Sequence, residues 1–267
     1  MNNFIKNFLK NNFFKKIEYI EDLDSANTNK ILKDIINRNI ILNFFYLDCY
    51  NIFKKELEVN KENNSVILEI GSGAGFIKKI IPNTITSEII TLDGIDLQMD
   101  ATNLKFKNNS LDSILLLNVL HHIADPKQFI FECQRVLKKK GTILMIEPAN
   151  TWFSRIIYKN FHHEDFNEYS NWHLRKGGRL SESNQAMPHI IFERDIEKFR
   201  KFFPQLLVTK KYKFKPIHYL LSGGFTYKPL FNNKFFILFI KLVEFFLSPF
   251  NKVLGLFMFI KVVKDNS

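Results

Sequence analysis

From residue 66 onward, short runs of apolar residues alternate with amphipathic segments, whereas the chain before it keeps a helical period. Apolar pairs recur at three-to-four spacing (Ile31, Leu32, Ile35, Ile36, then Ile40, Ile41, Phe44, Phe45), which predicts helices over residues 1 to about 60. The polar stretch NKENNS (60–65) then reads as a turn. After it, VILEI (66–70) predicts a strand and GFIKKII (75–81) a short helix stopped by Pro82. ITS (85–87) and GIDLQ (94–98) read as strands, and SILLLN (113–118) as a buried one. Asp125 and Pro126 predict a capped helix start, with the helix running through PKQFIFECQRVLKK to a C-terminal Gly141. Lys138 to Lys140 then read as a solvated helix end complementing the dipole. TILMIE (142–147) predicts another buried strand.

Strands apolar on both faces and alternating with helices imply a parallel sheet covered on both sides. Beyond residue 148 the pattern loosens into an aromatic, His-bearing stretch, expected to be an insertion or lid over the open end of the sheet. ERDIEKFRKFF (193–203) returns to helix and LLVTKKYKF (206–214) alternates like a strand. FFILFIKLVEFFL (235–247) predicts an apolar helix, and GLFMFIKVVKD (255–265) a strand. A spanning helix needs ~20 apolar residues, and Lys241 and Glu244 interrupt this one, so its surplus apolarity is expected to meet core, a dimer partner or a membrane surface.

Composition narrows this only in part. The chain has 267 residues, enough for one large α/β domain with additions. Its two cysteines, Cys49 and Cys133, suggest neither a ligand pair nor a disulfide framework, so a reducing, cytoplasmic compartment is expected. The net charge of +11 comes from scattered lysines, which suits attraction to anionic surfaces better than a nucleic-acid footprint. The segment MNNFIKNFLKNNFFKK (1–16) lacks a signal-peptide core and reads as a helical arm, on the body or grazing a membrane.

The candidate chemistry starts at GSGAGF (71–76). A strand feeding a glycine-rich turn bares backbone for close approach by a ligand. A phosphate-cradling loop would end in Gly-Lys-Ser/Thr, which is absent here. A dinucleotide loop would carry Gly or Ala where Phe76 stands. What remains is Gly71, Gly73 and Gly75 preceded by the acid Glu69.

That pattern resembles motif I of the class I S-adenosylmethionine-dependent methyltransferases, and of their type-11 group in particular, which also includes quinone-biosynthesis enzymes. The resemblance extends over residues 60 to 150. It implies a Rossmann-like seven-stranded α/β sheet with helices on both faces, the FMFIKVV strand inserted antiparallel near strand five. It divides the chain into a helical cap (1–60), a cofactor-binding core (61–150) and a segment (151–267) carrying the insertion after strand five, the last strands and the apolar helix. The implied cofactor is S-adenosylmethionine, with Glu69, Gly71, Ser72, Gly73, Gly75 and Phe76 around its methionine end. Glu88, ending the second strand, would hold the ribose; Asp93 and Asp96 rival it by spacing. Asp100 and Ala101 match the adenine site, Asp112 the acid entering strand four, and Asn118 a residue lining the methionine pocket. Lys105 stands where the family has Pro. Downstream, the EP, HHE, IIFERD and YLLSGG stretches resemble uncharacterised bacterial members of the group.

For catalysis, His121 or His122 after strand four would take a proton, the alternative being packing or backbone bonding at a helix start. Glu147 either joins them or caps the following loop. FHHEDF (161–166) would need His173 or His189 to build a metal site, so a lid contact or structural hydrogen bond is expected there and no metal is assigned. The expected activity is direct methyl transfer to a small-molecule or lipid-like acceptor. Two other readings stay open, a nucleic-acid methyltransferase and a non-catalytic, membrane-associated binder of S-adenosylmethionine. A homodimer and peripheral membrane contact are compatible with all three.

Overall fold

In the computed structural model, residues 24–58, 65–162, 164–174, 182–215 and 217–265 are described; the N-terminal arm (1–16) lies outside them. Ser25 caps α1 (Ala26–Arg38) by accepting from the Thr28 amide. Asn39 breaks the chain before α2 (Ile40–Glu58): its Oδ1 accepts from the Leu42 amide and its Nδ2 donates to the Ser222 carbonyl. Phe45, Cys49, Tyr50 and Phe53 of α2 are buried against one face of the sheet.

The sheet has seven strands in the order β3-β2-β1-β4-β5-β7-β6. The strands are β1 (Ile67–Ile70), β2 (Thr84–Glu88), β3 (Leu97–Gln98), β4 (Leu111–Leu117), β5 (Leu137–Pro148), β6 (Leu206–Phe214) and β7 (Phe257–Lys264). The first five pair in parallel, and β7 enters antiparallel between β5 and β6, beside strand five as expected. β1 and β4 are neighbours although other strands separate them in sequence, so the order reverses between them, where open α/β sheets bind ligands.

The remaining helices are α3 (Pro126–Val136), α4 (Trp152–Phe161), α5 (Ile196–Phe202), α6 (His218–Ser222), α7 (Phe235–Leu247) and α8 (Asn251–Leu254). A helical turn (Met187–His189) and a π-helical turn (Ile190–Arg194) lead into α5. Cys133 is buried among α3, β4 and the chain near residue 190, on the face opposite Cys49.

Several elements depart from the expected bounds. GFIKKII forms only a three-residue 3-10 turn (Ile77–Lys79), and GIDLQ pairs only at Leu97–Gln98 after a turn in which Gly94 has φ +84°. α3 keeps its predicted cap, Asp125 accepting from the Gln128 amide, but stops at Val136. Leu137 is already extended and pairs with Leu111, so Lys138 to Lys140 belong to β5 rather than to a helix end. Lys138 pairs with Asp112 at 2.8 Å, and Asp112 also accepts from the Val66 amide. Gly141 therefore serves the strand's irregularity: a Cβ there would lie 2.9 Å from the Lys138 carbonyl oxygen. Sheet pairing overrides helix propensity at these four residues.

The insertion after β5 folds over the segment that follows β4. The Asn184 amide donates to the His121 carbonyl and the Leu174 amide to the Ala124 carbonyl.

Candidate active site

Glu69, next to last in β1, is almost wholly buried, and after Ile70 the chain turns through Gly71 (φ +65°) and Gly73 (φ +41°). A Cβ on Gly71 would strike Val119 at 2.6 Å, and one on Gly75 would overlap the Tyr50 hydroxyl. Glycine is needed at both because β4's exit and α2 press against the loop. Gly73 is less crowded: a Cβ there would meet nothing closer than the carboxylate of Glu88 and the amide oxygen of Asn29, at 3.5 and 3.6 Å. Ser72 donates its amide to the Ser87 carbonyl, which ties the loop to the end of β2.

Three buried acceptor atoms around this loop have no hydrogen-bond partner among the described residues: Glu69 Oε2, Asn29 Oδ1 and Asn118 Oδ1. Asn118 holds φ +57°, a conformation that costs free energy for a residue with a side chain. Burial pushes the Glu69 carboxyl up to about 7, against the hydroxyls of Ser72 and Tyr50 that favour its charge, with the nearby Glu88 carboxylate adding to the rise. Orphaned acceptors beside a raised carboxyl make a pocket suited to a cationic, hydrogen-bond-donating group.

Glu88 is buried at the end of β2, and its Oε1 accepts from the Ile89 amide. Beyond it lies an open cleft of about 350 Å³ lined by Ile89, Gln98, Met99, Asp100, Asn103 and Lys105. Asp100 folds its own turn by accepting from the Thr102 amide and hydroxyl, and half-buried Ala101 packs against the core beneath. Asp96, one rival to Glu88, is spent on Thr86 and Lys78, and Asp93 is exposed. The Phe76 ring turns away from the loop and packs on Tyr50 and Tyr46 of α2.

On the far side of Val119 sits a second buried cluster. Glu147 Oε1 accepts from the Val119 and Leu120 amides at 2.8 Å each, and its Oε2 meets His121 Nδ1 at 2.6 Å. His121 Nε2 lies 3.4 Å from Glu164, whose other oxygen is 3.5 Å from His122 Nε2. Gln185 Nε2 donates to Glu164 at 2.8 Å and also approaches His162 Nδ1.

The two adjacent histidines end up in opposite states. Burial disfavours charge on His121, but Glu147 and Glu164 outweigh it and hold the ring up at about 9. Burial and the charge of its neighbour push His122 down to about 3. Glu164, despite burial, is held well below the usual carboxylate range by the histidines around it.

Of the FHHEDF stretch it is thus the acid that reaches His121 and His122. His173 is exposed near Asp125 and His189 bonds Glu193, so neither supplies the further ligand that a metal site at FHHEDF would have needed. His121, His122 and Glu164 do bring three ligand-type atoms within 4.8 Å of one another, an arrangement that could hold a cation.

Sequence reasoning passed over Asn29 and Tyr50, which come from the cap helices, and over Glu164 and Gln185 as members of the cluster. Only Glu164 carried a signal, as the acid inside a His-rich motif.

A family model described as a methyltransferase domain matches residues 68–145, the span from β1 through most of β5. That match supports reading the chain as a class I S-adenosylmethionine-dependent methyltransferase. It is 28% identical over 113 residues to a demethylmenaquinone methyltransferase of Thermotoga maritima, an alignment covering 36% of this chain and 48% of that protein. The chain thus spans about half the length of the curated relative it matches. A crystal structure from the same organism, of a SAM-dependent methyltransferase named as a possible histamine N-methyltransferase, superposes with a TM-score of 0.51 at 16% identity. That superposition covers 90% of this chain and 96% of the other, and it speaks for the fold. S-adenosylmethionine is the cofactor this methyltransferase family uses.

Proposed function

We propose that this chain transfers a methyl group from S-adenosylmethionine to a small-molecule or lipid-like acceptor. The observation that carries the reading is a juxtaposition: orphaned buried acceptors lie on one side of Val119 and, on the other, a histidine–carboxylate network whose carboxylate oxygens are all engaged. When bound, the cofactor supplies an electrophilic methyl on a sulfonium. Glu69, with Asn29 and Asn118, would hold its ammonium end against the loop of Gly71, Ser72, Gly73 and Gly75. Glu88 would hold the ribose hydroxyls, and the cleft at Asp100 and Ala101 the adenine. Phe76 would act through backbone alone, since its ring is occupied by α2.

Placement is the protein's main task, because aligning two reactants is worth ~7–11 kcal/mol of barrier. His122 is the uncharged ring of the pair and would take the acceptor's proton as a weak base, since burial and charged His121 oppose its protonation while Glu164 beside its Nε2 favours it. His121 is a positioning residue: charged and clamped by Glu147, it keeps Glu164 ionised. The helical cap (1–60) and the segment 151–267 would close the two sides of the core (61–150). A relative named for methylating demethylmenaquinone supports a small-molecule acceptor. No helix among the described residues is long and apolar enough to cross a membrane.

The test is transfer of labelled methyl from S-adenosylmethionine into fractionated small-molecule, lipid and nucleic-acid extracts. Label in the small-molecule or lipid fraction supports the reading, and label only in nucleic acid overturns it.

A further inference from the structure

α7 presents its sides the wrong way round for a helix on a water-facing surface. Of its thirteen residues only Ile240 is buried. Phe235, Leu238, Phe239, Leu242, Phe245 and Phe246 follow helical spacing along one stripe, and each is more than half exposed. Phe250 and Val253 continue the stripe past Ser248 into α8. The helix's one acid faces inward, where Glu244 accepts from the His218 amide at 2.8 Å and pairs with Lys215 at 3.3 Å. An exposed apolar stripe of this extent marks a contact surface.

The charges around it indicate which kind. Residues 228–254 contain Lys228, Lys234, Lys241 and Lys252, all exposed, and Glu244 as their one acid. Lys241 lies over the Phe44 ring at 4.4 Å, at the junction of α7 with the body. The outward charge of the segment is therefore positive, in a chain whose net charge is +11. A two-fold dimer through this face would set the lysine fringe against its own copy, like charge on like. Anionic headgroups over an acyl layer complement both features at once, lysines outside and phenylalanines within. At thirteen residues the helix is too short to span a bilayer and of ordinary length to lie in its interface.

We propose that the α7–α8 face is a peripheral docking surface for anionic lipid membranes. This inference does not depend on which acceptor is methylated. It would place the enzyme at the surface from which a lipid-like acceptor could be drawn.

Sedimentation with phosphatidylcholine vesicles, with and without phosphatidylglycerol, tests it. Wild type is expected to pellet with the phosphatidylglycerol vesicles, to remain in solution with phosphatidylcholine alone, and to be released by salt. Lys234→Gln and Lys252→Gln should each weaken partitioning about fivefold. Phe239→Asp with Leu242→Asp should abolish it while leaving the calorimetric affinity for S-adenosylmethionine unchanged, which shows that the variant is folded. Three results would overturn the proposal: no wild-type binding, binding indifferent to anionic lipid, or a dimer in analytical ultracentrifugation that the Phe239/Leu242 pair dissociates. The cofactor measurement is separate, so loss of methyl transfer would not touch this conclusion.

Discussion

The two sides of Val119 are built on opposite principles. Around the glycine loop, three buried acceptors go without partners and a carboxyl is held near neutrality. Around His121, every oxygen of Glu147 and Glu164 is engaged by an amide or an imidazole. Buried polar atoms without partners are costly, and three of them converging on one loop suit a hydrogen-bonding ligand there. The engaged carboxylates instead hold His121 charged, and among the described residues His122 Nδ1 is left as that side's open imidazole nitrogen. In the proposed function the first side would bind, and the second would hold charge and geometry for a step.

Separating those roles by substitution should give effects of very different size. The largest is expected on the network side. His122→Gln should lower methyl transfer about 10²–10⁴-fold, measured in single turnover, with cofactor affinity unchanged. An equal loss of cofactor affinity would mean that the two sides are one site. Next in size, Glu88→Ala should weaken S-adenosylmethionine about 10–100-fold by calorimetry while leaving the catalysed step intact at saturating cofactor.

Protonation gives the third contrast: both sides lose a stability contribution as pH rises, whereas cofactor affinity rises with pH. The Glu69 carboxyl stands at about 7 against an ordinary 4.5, so without ligand its own contribution to stability is complete below 4.5 and is lost as pH rises through 7. Cofactor binding needs the ionised form, so affinity should fall by up to about tenfold per pH unit below 7, and Glu69→Gln should flatten that slope. His121 is raised from 6.5 to about 9, so its contribution is complete below 6.5 and lost as pH rises through 9. Melting temperature and turnover should therefore both drop on the alkaline side in wild type, and His121→Gln should remove that limb. The smallest expected effect is none: dialysis against a chelator should leave turnover unchanged. Stimulation by an added divalent cation would instead turn His121, His122 and Glu164 into ligands.

The binding side was largely legible in the chain. Glu69, the glycines and Glu88 lie within twenty residues of one another, on a strand, a turn and the next strand, so local pattern carried them. What escaped came from afar. Asn29 and Tyr50 reach the loop from cap helices, where they look like ordinary surface and core positions. The network side was legible only as a list of its members. His121 and His122 are identical in sequence terms, and their separation depends on Glu147 and Glu164 converging from β5 and the insertion. The end of α3 failed for a related reason: Leu137 is a good helix former, and only the neighbouring strand at Leu111 makes it extended. The apolar helix at 235–247 was visible at its full length, but which of its sides faces the body depends on Glu244 finding Lys215.

The central claim, that the loop after β1 is an S-adenosylmethionine site, is tested most directly by calorimetry with S-adenosylmethionine and with NAD on wild type and Glu88→Ala. Binding of S-adenosylmethionine alone, weakened in the variant, is the predicted result. Binding of NAD in its place, or an unchanged affinity in Glu88→Ala, would contradict it.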